Sequence, residues 1–143
     1  MQRTNLFLMN IIKTKRLYEG MMKTVCERYG LAQTEGAVIS FLYNNKGKDT
    51  AADIAEFRQL PKSNISIAVE SLIQKSLLSR RQDPDDRRKI HLSLTPAAGA
   101  VTKEIDAVCR QFKEQLFKGF TDAEINEFIR FNEQISENIK EVK

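Results

Sequence analysis

The stretch from Asp83 to Lys89, DPDDRRK, sets three carboxylates and three cations into seven consecutive positions. Cations packed this closely can hold phosphate oxygens through charge-assisted hydrogen bonds, and arginines can also reach into a narrow, electronegative groove. The carboxylates alone would repel phosphate, so they need a local role. The economical one is an ion pair of Asp86 with a nearby arginine, which orients it. Charge runs also serve plain solvation, so the segments on either side must decide the matter.

Chemistry of other kinds has little to work with. The chain has one histidine, no tryptophan, no glycine-rich phosphate loop and no nucleophile elbow, which argues against an enzyme. His91 is expected on the wet side of a strand, beside Lys89 and Ser93, with a surface or phosphate-side role rather than that of a general base. One histidine and two distant cysteines, Cys26 and Cys109, fall short of a zinc ligand set, and no cofactor is implied. The two cysteines suit a reducing compartment and are expected as thiols. Cys26 has only Arg28 beside it, where an oxidant-sensing thiolate would want stronger electropositive surroundings.

With 143 residues, 41% of them hydrophobic and 29% charged, the chain fits one soluble domain. Its apolar runs fall well short of the ~18 residues of a membrane span, so a cytoplasmic protein without a membrane partner is expected. The net charge of +4 is modest but unevenly spread. Residues 62–89 carry 7 cations against 4 anions, and residues 97–143 carry 7 against 9. A basic centre points to a polyanion.

The elements that would carry this centre follow from periodicity. Leu6, Met9, Ile12, Leu17, Met21 and Val25 recur at helical spacing, giving a long first helix stopped by Gly30. A second helix runs from about Gln33 to Asn45. Thr50 with Asp53 three residues on makes a capping box for a short helix to Phe57. Pro61 fits the first turn of the next helix, whose apolar stripe is Ile65, Val69, Leu72 and Ile73. Residues 77–82 and 89–94 read as two strands around the charged tip, the second sending Ile90, Leu92 and Leu94 to one face. Thr95 is expected to cap, and Pro96 to open, a long helix with Val101, Ile105, Val108, Phe112 and Leu116 inward. A second capping box, Thr121 with Glu124, starts the last helix.

Two helices joined by a short turn and followed by a hairpin describe a winged helix-turn-helix. The charged tip is then a wing, and Arg87, Arg88 and Lys89 sit where a wing can meet phosphates or the minor groove. The fold class is mainly α with a small β wing. The winged unit spans residues 33–95, and residues 2–28 and 97–142 form long terminal helices. Those helices carry Leu6, Ile12, Leu17, Val108, Phe112, Phe117, Phe120, Phe128, Phe131 and Ile135, more apolar surface than one chain would cover, so a tight homodimer is expected.

These residues resemble the MarR family, the multiple antibiotic resistance regulators of bacteria and archaea, over nearly the whole chain. TAADIAE is similar to the family's first helix of the DNA-binding unit, LPKSNISIAVESLIQKSLLSR to its recognition helix, and DPDDRRKIHLSLTPAAG to its wing. The resemblance implies a homodimeric repressor of double-stranded DNA, reading a palindromic operator and released by a small apolar or aromatic effector. It assigns recognition-helix contacts to Lys62, Ser63, Asn64, Ser66 and Ile67, and the minor-groove position of the wing to Arg88. It places an effector pocket between the dimerising helices and the winged unit, where Met9, Met21, Met22, Phe41 and Tyr43 are candidate linings. Pro61, Ile67 and Ser76 depart from the family pattern, Ser76 standing where glycine is usual before the wing. The alternative is a helical interaction protein whose winged unit no longer reads DNA.

Overall fold

The computed structural model describes residues 2–142. Helix α1, Arg3–Tyr29, ends where Gly30 turns left-handed at φ 65°, a conformation that costs glycine nothing. Helix α2, Gln33–Asn44, crosses α1 closely, because Gly36 has no Cβ to collide with Cys26 Sγ. Helix α3, Ala51–Arg58, has the reciprocal cap that its sequence announces, with Thr50 and Asp53 each accepting the other's backbone N–H. Helix α4, Lys62–Gln74, starts one residue later than expected. Pro61 takes the N-cap with an extended ψ of 140°, and so stands just outside the first turn.

The hairpin pairs β1, Leu78–Gln82, with β2, Ile90–Leu94, antiparallel from Leu78 opposite Leu94 to Gln82 opposite Ile90. Of the three residues expected on its inner face, Leu92 is buried, Leu94 half-buried and Ile90 exposed, since the strand runs out past the core towards its tip. Ser76 keeps the left-handed turn that a glycine would favour, at φ 64°. Thr95 makes no helix cap. Its Oγ1 donates to the Ser76 carbonyl at 2.6 Å and its N–H to the Leu77 carbonyl at 3.1 Å, closing the base of the hairpin. Pro96–Ala98 form a 3-10 turn, and helix α5, Gly99–Leu116, follows. Helix α6, Asp122–Lys140, begins at the Thr121 and Glu124 capping box.

One core unites these parts. Val38 and Ile39 of α2, Ile54 of α3, Ile65 and Leu72 of α4, Leu78 and Leu92 of the hairpin, and Val101 and Ile105 of α5 meet there, joined by Val25 and Cys26 of α1. Val108, expected among the residues left for a partner, lies in this core too. The first half of α1 and all of α6 lie outside it, and α6 has no buried residue.

Candidate nucleic-acid interface

The inward stripe of α4 is Ile65, Ala68, Val69 and Leu72, one residue every three or four. The opposite face is therefore wet, and it holds Lys62, Ser63, Asn64, Ser66 and Ile67, all exposed; Ile67 is 71% exposed, unusual for so apolar a side chain. No side chain caps the N-terminus of α4. The positive end of the helix dipole faces out beside Lys62, an arrangement that favours an anion.

The wing folds back towards this face. A groove of about 440 Å³ lies between α3, α4 and the hairpin, and its walls include Lys62, Ser66, Arg80, Arg88 and Lys89. Recognition-helix and wing cations that are 26 positions apart in sequence, Lys62 and Arg88, thus border one concave surface. Arg88 is the most exposed of the paired cations, 94% in its side chain, with its Nε 3.6 Å from Asp86 Oδ1. The Asp86 carboxylate also accepts the Arg88 N–H at 3.0 Å. Arg87 is exposed, and its carbonyl accepts from the Gln82 side chain at 3.1 Å.

Two features of this surface escaped the reading of the sequence. Arg80 reaches across to α4, where it pairs with Glu70 at 2.7 Å. Period-two alternation in LSRRQ puts Arg80 on the side of Leu78, which was the available signal. His91 is not the outward, phosphate-side group expected. It is half-buried between Asp49 and Asp83, because the loop ahead of α3 packs against the strand and brings Asp49 to it. That loop adjoins β2 through its backbone too, where the Leu92 N–H donates to the Asp49 carbonyl at 2.8 Å. Asp83 caps the tip, accepting the N–H groups of Asp85 and Asp86, and its bond with His91 and these two hold its pKa down at about 2.

A second cavity, about 330 Å³, opens between α1, α2 and the end of α3. Met22 and Phe41 line it, with Tyr18, Ser40, Phe57 and Arg58. Met9, Met21 and Tyr43 do not. Met21 and Tyr43 each sit one residue from a lining position, Met22 and Asn44, and so point about 100° away from it around their helices. Tyr43 instead donates to Asp106 of α5 at 2.5 Å. Met9 lies roughly 13 to 14 Å up α1 from Tyr18, at about 1.5 Å per residue. Arg58 Nε is buried with no hydrogen-bond partner among the described residues. Cys26 also borders this cavity, but burial and then the Glu35 carboxylate push its thiol up, the reverse of an activated thiolate.

A helix-turn-helix with its recognition face open, followed by a two-stranded wing with a cationic tip, defines a winged helix-turn-helix DNA-binding protein. Residues 29–89 match the sequence model of the MarR family. Over these residues, fewer than half of the 143, the chain is similar to the MarR family of transcriptional regulators.

Among relatives, it is 22% identical over 103 residues to YsmB of Bacillus subtilis, an uncharacterized helix-turn-helix-type transcriptional regulator, covering 72% of this chain and 70% of that one. Its fold is similar to that of a putative MarR family regulator from Listeria monocytogenes complexed with a 26mer DNA, with a TM-score of 0.80 at 20% identity, covering 92% and 87% of the two chains. It is also similar to BpsR of Bordetella bronchiseptica, whose DNA binding is regulated by 6-hydroxynicotinic acid, with a TM-score of 0.66 at 19% identity over 94% and 99% of the chains. The family is one of DNA-binding transcriptional regulators, and the reading as a bare interaction module is not favoured. Among the described residues, no helix is long and apolar enough to cross a membrane.

Proposed function

We propose that the protein is a homodimeric, sequence-specific repressor that binds a palindromic double-stranded operator and is released by a small apolar or aromatic effector. The observation that carries this reading is the shared groove, in which the first turn of α4 and the wing cations Arg88 and Lys89 border one surface. In it, Lys62, Ser63, Asn64, Ser66 and Ile67 enter the major groove. Asn64 can pair bidentately with adenine and Ile67 can pack on a thymine methyl. Arg87, Arg88 and Lys89 take the backbone or the minor groove, with Asp86 orienting Arg88.

The homodimer is supported by uncovered apolar surface. Leu6, Phe7, Ile11 and Ile12 of α1 and Phe128, Phe131, Ile135 and Ile139 of α6 are all exposed in the single chain. A two-fold partner would cover them and set two copies of α4 roughly 34 to 36 Å apart, one turn of DNA. The 330 Å³ cavity is of a size for a small aromatic ligand, and Arg58 is among its lining residues. It ends at α3, directly ahead of the recognition helix, so an occupant can bias the position of α4. BpsR is a relative in fold whose DNA binding responds to an aromatic acid.

Fluorescence anisotropy with the duplex upstream of its own gene, at several salt concentrations, tests the reading. Binding should weaken with salt by about 0.9 log units per log unit for each phosphate neutralised. Arg88→Ala should cost about 1 to 3 kcal/mol of affinity, and Lys103→Ala, on α5 away from the groove, very little. No binding at low salt, or equal losses in the two variants, would overturn the assignment.

A further inference from the structure

The chain's one histidine lies between two carboxylates that belong to different elements. His91 Nδ1 is 2.7 Å from Asp49 Oδ1, in the loop ahead of α3, and its Nε2 is 2.7 Å from Asp83 Oδ2, at the start of the wing tip. The ring is 18% exposed, Asp83 is covered almost as well at 21%, and Asp49 is partly covered at 32%. A neutral imidazole has one N–H and one lone pair, so one of these contacts would set a lone pair against a carboxylate. Only the imidazolium donates to both.

The bonds continue beyond the ring. Asp83 Oδ1 accepts the N–H groups of Asp85 and Asp86 at 2.8 and 2.9 Å, and Asp86 accepts from the Arg88 N–H at 3.0 Å. An unbroken series therefore runs from the loop through the ring to the turn that carries Arg87 and Arg88.

We propose that His91, as the imidazolium, is a positioning residue for DNA binding, clasping the wing tip to the loop ahead of α3 and so setting where Arg87 and Arg88 meet the duplex. The proposal rests on the DNA-binding reading above. His91 is not itself a contact, since both its nitrogens are engaged within the protein. The charged groups that face the ring are Asp83 and Asp49, whose hydrogen bonds raise its pKa above the ordinary value, and Arg81 on the opposite strand, which opposes them. A group with a raised folded pKa stabilises fully below its unfolded pKa, here near 6.5, and loses that contribution as pH rises through the folded value. While both carboxylates are ionised, the clasp is closed below the ordinary histidine value and opens as pH rises through the raised folded one.

Because the chain has a single histidine, a titration of the full-length protein with ¹⁵N-labelled histidine, followed by long-range nitrogen–proton NMR, reads the ring directly. One transition above 6.5 is expected, with both nitrogens protonated below it, and Asp49→Asn should lower it. Amides of residues 83–89 should lose hydrogen-exchange protection as the ring deprotonates. In anisotropy at fixed salt, wild-type affinity for the upstream duplex should fall about 5- to 10-fold between roughly pH 6 and pH 9, as one charge-assisted bond is lost. His91→Gln, neutral throughout, should show a flat profile at the alkaline wild-type level. If the glutamine variant fails to fold by circular dichroism, Asp49→Asn, which leaves the ring in place, should show the same flattening.

A ring that titrates at or below 6.5 would overturn the clasp. So would identical pH profiles for the wild type and the variant. If no form binds DNA at any pH, the DNA reading fails, while the titration and the exchange of the wing amides still decide the clasp.

Discussion

Helices α4 and α6 have similar amphipathic spacing and opposite fates. In α4 the stripe Ile65, Ala68, Val69 and Leu72 is buried by α2, α3 and the hairpin of the same chain. In α6 the stripe Phe128, Phe131, Ile135 and Ile139 meets almost nothing but a T-shaped stack of Phe117 on Phe128, with ring centres 5.2 Å apart. What α6 has of its own is local: a reciprocal cap and the ion pairs Arg130–Glu127 and Lys140–Glu137 at 3.0 and 3.1 Å. Exposed pairs of this kind contribute about 0.3 to 0.5 kcal/mol each, too little to hold a long helix alone. The contrast teaches that helical periodicity shows that a face needs cover, and tertiary packing alone shows whether the chain supplies it.

The largest expected effect puts the two helices side by side. Leu72→Ala should cost about 2 to 5 kcal/mol in urea denaturation, at every protein concentration, because it hollows the chain's own core. Phe131→Ser should instead leave unfolding at high dilution nearly unchanged and shift the monomer–dimer equilibrium, followed by sedimentation at several concentrations. An equally large, concentration-independent loss in Phe131→Ser would break the comparison, since α6 would then have cover inside its own chain.

A smaller effect is expected where α4 meets the α1–α2 corner. Burial pushes the Glu35 carboxyl up, but the Ala32 N–H, Lys75 and Ser71 together outweigh it and hold its pKa below the ordinary carboxylate value. Lys75 Nζ, at the end of α4, is 2.9 Å from Glu35 Oε2 and donates to the Gly30 carbonyl at 3.1 Å, so it joins α4 to the α1–α2 corner. Lys75→Met should cost about 1 to 3 kcal/mol by leaving a buried carboxylate short of a partner. Because the folded pKa is depressed, the contribution of Glu35 is present above about 4.5 and lost as pH falls through the folded value. Thermal melts of wild type and Glu35→Gln at about pH 7 and pH 3 check this, and their difference should shrink at the lower pH.

The smallest effect concerns the base of the wing. Ser76 holds a left-handed φ of 64° that L side chains adopt at a cost. Ser76→Gly should therefore stabilise the winged unit by under about 1 kcal/mol, the relief being partly offset by the greater freedom of glycine in the unfolded chain. A loss of stability would mean that the serine side chain holds the turn by a contact worth more than the strain.

What the sequence determined by itself was local. The capping boxes at Thr50 and Thr121, the glycine stop at Gly30, the inward stripes of α4 and α5 and the charged tip between two strands all depend on neighbours within about one helical turn or across one hairpin, where residue type and spacing suffice. Tertiary structure decided the rest, because it rests on partners far apart in the chain. Thr95 reads as a cap until Ser76, 19 residues earlier, lies beneath its hydroxyl. Tyr43 reads as pocket lining until Asp106, 63 residues later, takes its hydrogen bond on the other side of α2. His91 reads as a surface residue until the loop 42 residues earlier delivers Asp49 to one ring nitrogen while the wing delivers Asp83 to the other. Spacing along a chain fixes direction within an element, but a side chain's chemistry is set by whichever groups packing brings to it, and for these residues those groups come from other elements.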